Sequence, residues 1–124
     1  MIVLNKEQII MMHAMLIKQT GGLDGIRDEG LLDSAIKTPF QTFAGEELYP
    51  TVQKKAACLC YSLVNNHAFN DANKRIGILS MMTFMELNNL EIECLDEELI
   101  ILGINIASGK TGQEEILLWI MSHS

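Results

Sequence analysis

Within nine residues, His67-Ala68-Phe69-Asn70-Asp71-Ala72-Asn73-Lys74-Arg75 gathers an imidazole, a carboxylate, two amides and two cations around one aromatic side chain. An imidazole titrates near neutral pH, so His67 can accept a proton from a hydroxyl. Asp71 can hold Mg²⁺, because magnesium sites commonly combine one or two carboxylates with phosphate oxygens. Lys74 and Arg75 can neutralise charge on a group in transfer, the arginine through paired bonds. Phe69 suits a plug into the core and Asn73 a brace on the loop backbone. Ala72 is small enough to let a ligand approach the main chain. Together these parts suit attack of a hydroxyl on a phosphate. A capped helix with Asn70 or Asp71 as N-cap explains part of the same pattern, and spacing alone leaves both readings open.

The stretch has to sit at a corner. Apolar residues at helical spacing run up to it from about Thr51 and leave it from Ala72 to about Asn89. Its last residues therefore open the second helix. The first turn of a helix exposes unpaired N–H groups and the positive end of the dipole, a natural seat for phosphate. Lys74 and Arg75 fall in that turn, where cations are electrostatically unfavourable. An outside anion explains them better than fold stability does.

The remaining elements follow from periodicity and caps. Ile2-Val3-Leu4 is β-prone and pairs, in this reading, with the alternating Glu91-Ile92-Glu93-Cys94 as a minimal sheet. Asn5 and Gln8 form a capping box for a helix that ends at Thr20-Gly21-Gly22. His13 lies beside its apolar stripe and reads as a structural histidine. Gly21 to Asp28 is turn-rich, with Asp28 capping a helix from Glu29 to about Thr38 that Pro39 stops. Arg27 reads as part of that connection, with reach toward a phosphate or partner as the alternative. Phe40 to Tyr49 lacks periodicity, and a loop of that length is often functional; the bland reading packs Phe40 and Phe43 on the core. Pro50 fits the first turn of the next helix, whose buried face is Val52, Ala56, Leu59, Cys60, Leu63 and Val64. The helix after the motif is apolar nearly all round, so it is expected to be central, with Met81, Met82 and Met85 as core filler. Asp96 is expected to cap a helix through Ile106. A second capping box, Thr111 with Glu114, opens a last helix whose Trp119 reads as core.

Composition narrows the class. The 124 residues suit one domain, 1–124, mostly all-α, with about six helices and at most one minimal β pair. A net charge of −7 argues against a nucleic-acid binder, but leaves room for a nucleotide held by a local cationic cluster. No apolar run reaches the roughly 18 residues that span a bilayer. The N-terminus lacks signal-peptide character, so the expected location is cytoplasmic, with no membrane partner. Cys58, Cys60 and Cys94 fit reduced, mostly buried thiols. The glycines of Gly103 to Thr111 are one residue too far apart for a phosphate loop, and protein-kinase, zinc and hydrolase-elbow signatures are missing.

The nine-residue motif resembles the signature H-x-F-x-(D/E)-x-N-(G/K)-R of the Fic/Doc superfamily. It is most similar to the Doc toxin branch, which reads H-x-F-x-D-A-N-K-R. The size, the Gly21–Asp28 loop and the helix order resemble that branch across essentially the whole chain. Typical Fic enzymes transfer AMP from ATP to a protein hydroxyl. Ala72 and Lys74 stand where those enzymes have glycines, and Ile78 replaces a second arginine. Doc toxins share these departures and transfer the γ-phosphate of ATP to elongation factor Tu, arresting translation. The resemblance implies His67 as base and Asp71 on Mg²⁺ or substrate. Lys74 and Arg75 would hold phosphates, with Asn73 and the Ala72 backbone completing the nucleotide cradle. It implies ATP and Mg²⁺ as cofactors, a separate Phd-type antitoxin seated in an exposed apolar groove, and a target-docking flap at Phe40–Tyr49. Thr42–Glu47 and Thr111–Ile116 both miss the last position of the inhibitory motif (S/T)-x-x-x-E-(G/N), so no built-in inhibitor is expected. A Fic-type AMP transferase is the alternative reading, and a non-catalytic binding module the second.

Overall fold

The computed structural model describes residues 1–124. Six helices carry it: α1 (Lys6–Thr20), α2 (Glu29–Lys37), α3 (Val52–Asn66), α4 (Asn73–Leu87), α5 (Asp96–Ala107) and α6 (Gln113–Ser122). The expected mostly helical architecture is the one observed. No helix is long and apolar enough to cross a membrane.

The hub is α3 and not, as its apolar sequence suggested, α4. Helices α2, α4, α5 and α6 and a 3-10 turn at Thr38–Phe40 all pack on α3, whereas α4 rests mainly on α1, α3 and α5. Small side chains explain the difference: Ala56, Ala57, Cys58 and Cys60 are buried and let neighbours approach α3 from several sides. The tightest approach is at Gly77 of α4. A Cβ there would lie 2.5 Å from Val64 Cγ2 and 3.2 Å from the Cys60 carbonyl oxygen. Any side chain at Gly77 would therefore push apart the two helices that flank the motif. Met81 and Met85 are core, while Met82 is half-buried. Trp119 is also half-buried and stacks on His123, with ring centroids 4.0 Å apart. All three cysteines are free. Burial pushes the Cys60 thiol up to about 12 and raises Cys58 as well.

The anticipated pairing of Ile2-Val3-Leu4 with Glu91-Ile92-Glu93-Cys94 does not form. Asn88 takes the backbone of Ile2 instead, accepting from its N–H at 2.7 Å and donating to its carbonyl at 2.8 Å. Glu93 N–H donates to the His123 carbonyl at 2.9 Å. The β structure lies in the segment without periodicity, where β1 (Thr42–Phe43) and β2 (Glu46–Glu47) pair antiparallel. Ala44 and Gly45 both have positive φ, 52° and 82°, which two-residue hairpin turns with mirror-image geometry require. Phe40 packs edge-on against Phe84, but Phe43 is 76 % exposed, so only one of the two aromatics joins the core.

Lys55 ties this hairpin to α3. Its ammonium is buried, lies 3.1 Å from Glu47 Oε1, donates to the Tyr49 carbonyl and sits over the Phe40 ring. A buried cation is tolerated only when it is paired and hydrogen-bonded, and here every partner comes from the segment between α2 and α3.

Three boundaries also shift. Pro50 lies outside α3, which is capped by Thr51 Oγ1 accepting from Lys54 N–H at 3.1 Å. Asp96 is the first residue of α5, and Leu95 holds the cap position with its N–H bound by Glu98 at 3.0 Å. The cap of α6 is Gly112, bound by Glu115 at 3.3 Å, in place of the expected Thr111 and Glu114. Glu115 is third in the helix and reaches the cap N–H, as a capping box requires.

Candidate phosphate-binding site at the start of α4

His67 ends α3 in the left-handed region, φ 52° and ψ 45°, and is exposed. This turn hands the chain from α3 into the motif loop. Arg27 closes the end of α3: its Nε donates to the His67 carbonyl at 2.6 Å, and its guanidinium also reaches the Asn66 carbonyl at 3.4 Å. A cation on the last carbonyls of a helix is favourable. The structure thus assigns Arg27 to the connection, and its alternative reach toward a phosphate is taken up by α3.

The loop is stitched down residue by residue. Phe69 is 2 % exposed and forms an antiparallel bridge with Ile26. The N–H groups of Arg27 and Asp28 donate to the Ala68 carbonyl at 2.7 and 3.0 Å, and Asn70 N–H donates to Gly25 at 3.1 Å. Asn73 braces the loop as its sequence position suggested, accepting from Phe69 N–H and donating to the Phe69 carbonyl, both at 3.1 Å. Its amide side chain is thus committed to the loop.

Asp71 sits at the junction. Its Oδ1 accepts from Ala72 N–H at 2.8 Å and its Oδ2 from Leu23 N–H at 3.2 Å. Those two bonds, with help from nearby Arg75 and His13, hold its carboxyl below the usual carboxylate range. Each oxygen has accepted one N–H and retains lone-pair capacity. No cluster of three His, Cys, Asp or Glu side chains surrounds it. A single ionised carboxylate fits Mg²⁺ bound together with phosphate oxygens better than a metal caged by protein alone.

Neither Asn70 nor Asp71 caps α4. The cap position is Ala72, itself left-handed at φ 63°, with no side-chain cap and no acidic residue in the first turn. Ile76 N–H reaches the Ala72 carbonyl at 2.9 Å, so the amides of Asn73, Lys74 and Arg75 are left without intrahelical acceptors. Lys74 is exposed, and Arg75 donates to Thr20 Oγ1, which in turn donates to the Leu16 carbonyl at 2.7 Å. An open helix start, two cations, an ionised carboxylate and an exposed imidazole therefore meet within one loop. That arrangement can bind a phosphate chain and accept a proton beside it.

Three further contributors escaped the sequence reading in whole or part. Gly22, at φ +119°, permits the close approach of the carboxylate, since a Cβ would lie 2.5 Å from Asp71 Oδ2. The Gly21-Gly22 pair is its signal, although in the sequence it reads as a helix stop. Thr20 orients Arg75 and left no signal. His13 is buried as expected of a structural histidine, but it serves the motif itself: Nε2 donates to the Asp71 carbonyl at 2.7 Å. Beside α4 runs an apolar groove of about 570 Å³ formed by Leu16, Ile78, Leu79, Met82, Leu99, Ile100 and Ile104, with Lys74 and Arg75 at one end.

Residues 3–85, which include the whole loop and α4 as far as Met85, match the Fic/DOC family. The chain belongs to that family. Among characterised relatives, it is 42% identical over 72 residues to the toxin Doc of Mycolicibacterium smegmatis, covering 58% of this chain and 55% of that protein. It is 31% identical over 89 residues to the protein kinase doc of Escherichia phage P1, covering 72% of this chain and 70% of the relative. The match thus spans little more than half the length of the first relative.

Proposed function

We propose that residues 1–124 act as one unit, a Doc-like toxin kinase working in the cytoplasm on a hydroxyl of a translation protein, elongation factor Tu being the first candidate. The observation that carries this reading is the uncapped start of α4, which places three free amides, Lys74 and Arg75 beside the Asp71 carboxylate. Similarity to a protein named a kinase supports phosphoryl transfer.

In this mechanism ATP is the phosphate donor and His67 takes the proton of the attacking hydroxyl. The new O–P bond forms at the γ-phosphorus as its bond to the β-bridging oxygen breaks, and ADP leaves. Lys74, Arg75 and the α4 amides neutralise the phosphate oxygens, while the Ala72 and Asn73 backbone lines the nucleotide cradle. Asp71 would hold Mg²⁺, which would add positive charge beside the phosphates. Positioning and electrostatics of this kind carry most of phosphoryl-transfer catalysis.

A relative named a toxin supports a separate antitoxin as partner, and the likeness of the motif to the Doc branch makes the Phd type the first candidate. Its seat is the groove between α1, α4 and α5, whose apolar walls and cationic end suit an amphipathic segment with an acidic terminus. Ile104→Asp in that groove is expected to let the toxin arrest growth even with its antitoxin co-expressed.

The deciding experiment supplies ATP labelled at the α- or the γ-phosphate, with Mg²⁺ and purified elongation factor Tu, beside His67→Ala. Transfer of the γ-label alone establishes the kinase. Transfer of the α-label makes the protein an AMP transferase. No transfer in either case, repeated in bacterial lysate, leaves a binding module.

A further inference from the structure

Ala72 poses a physical question. It is an L-residue at φ 63°, where the Cβ crowds the backbone, and it is not in a surface turn but 8 % exposed at the start of α4. Rotating the Asp71–Ala72 peptide by half a turn would carry φ to the negative side and relieve the alanine. Two bonds oppose that rotation. At one end of the peptide, Ala72 N–H donates to Asp71 Oδ1 at 2.8 Å. At the other, the Asp71 carbonyl accepts from His13 Nε2 at 2.7 Å. The histidine cannot drift, because its ring stacks on Phe69 at 3.9 Å and 10°, and its Nδ1 lies 3.5 Å from Asp24 Oδ1.

We propose that His13 is a positioning residue that latches the Asp71–Ala72 peptide in its strained orientation. The latch keeps the Asp71 carboxylate and the open start of α4 turned toward one ligand. Without the His13 donor, the peptide rotates and its carbonyl oxygen swings to the side that the N–H now occupies. That oxygen meets the Asp71 carboxylate, displaces it and faces the anion seat with the wrong charge. Histidine supplies both requirements at once, a flat face for Phe69 and a donor for a part-buried carbonyl.

The test separates the donor from the packing. His13→Phe keeps the stack and removes the donor, whereas His13→Gln keeps a donor of similar reach. Crystal structures of both are expected to show Ala72 at negative φ in His13→Phe and at positive φ in His13→Gln. Positive φ in His13→Phe, with the Asp71 carbonyl unmoved, overturns the latch. Calorimetric titration with Mg·ATP, which rests on the reading of this site as a phosphate seat, is expected to show at least tenfold weaker binding for His13→Phe. Ala72→Gly added to His13→Phe should recover most of that loss, because glycine accepts positive φ without strain. A merely structural histidine predicts no such recovery. If the unsubstituted protein binds no Mg·ATP, the functional reading fails and the φ of Ala72 still decides the latch. If His13→Phe does not fold, the double variant decides: folding supports the latch, and failure overturns it, because the fold then needs the His13 donor whatever the strain at Ala72.

Discussion

Helices α1 and α4 begin in opposite ways. The first is closed by Asn5 and Gln8, each bonding the other's backbone N–H at 2.9 Å, and has Glu7 in its first turn. The second opens on an uncapped, left-handed alanine followed by an amide and two cations. One start binds the Asn5 and Gln8 amides itself and sets an acid at the positive end of its dipole; the other has neither a side-chain cap nor an acid and leaves both tasks to something outside the chain. Helices α2 and α3 side with α1, through Asp28 and Thr51. The difference teaches that α4 gives up local stability at the point where the loop gathers its reactive groups.

The largest expected effect lies beyond the open start. His67→Ala should lower transfer by roughly 10²–10⁴-fold, the usual worth of a positioned acid or base, with a melting temperature within about two degrees of the parent. A large thermal shift would move His67 to the structural side of the comparison. Gly22→Ala comes next. Its Cβ would strike the Asp71 carboxylate while the residue is also strained at φ +119°, so Mg·ATP affinity in calorimetry should fall by about tenfold or more. Closing the contrast from the other side, Asn5→Ala should cost about 1 kcal/mol in denaturant unfolding and leave transfer unchanged. Lys74→Glu should move two quantities in opposite directions. Stability rises by roughly 0.3–1 kcal/mol, because an acid suits a helix start, and nucleotide binding is lost.

The smallest effect sharpens the comparison at a C-terminus. His123 follows α6, and its pKa is raised by its bond to the Trp119 carbonyl and by Glu98 at 2.7 Å. Its contribution is complete below the unfolded value, near 6.5, and is lost as pH rises through the folded one. Glu98, held low chiefly by Leu95 N–H and then by His123, adds stability that is lost as pH falls through its own depressed value. Glu98→Gln should flatten thermal stability across this window; an unchanged pH profile would remove the pair from the account.

What the sequence made legible follows from distance along the chain. The capping box at Asn5 and the cap at Asp28 each involve partners three residues apart, and both formed as read. The hairpin stayed hidden because Ala44-Gly45 lacks the Asn-Gly or Asp-Gly that announces such a turn. The Ile2–Leu4 pairing failed because an alternating pattern specifies a face, not a partner, and Asn88 competed for the same backbone. In the candidate site, residue types and spacing pointed to a helix start with cations and a braced loop, and the structure has both. Thr20, Leu23, Arg27 and His13 act on residues 40 to 58 positions away, and no local pattern reports such contacts.

Those separations govern when the site exists. The bonds from His13, Leu23, Asn70 and Arg27 bridge 58, 48, 46 and 40 positions, so each requires closure of a long stretch of chain before it returns any free energy. The α3–α4 corner can condense early from neighbouring segments, but the loop between them takes its shape only when the Gly21–Asp28 segment docks. In hydrogen exchange, the amides of Ala72 and Asn70 should therefore open together with those of Leu23 and Arg27, as one cooperative unit. A chain in which that unit is open loses the bonds that shape the candidate site, even with the α3–α4 corner in place.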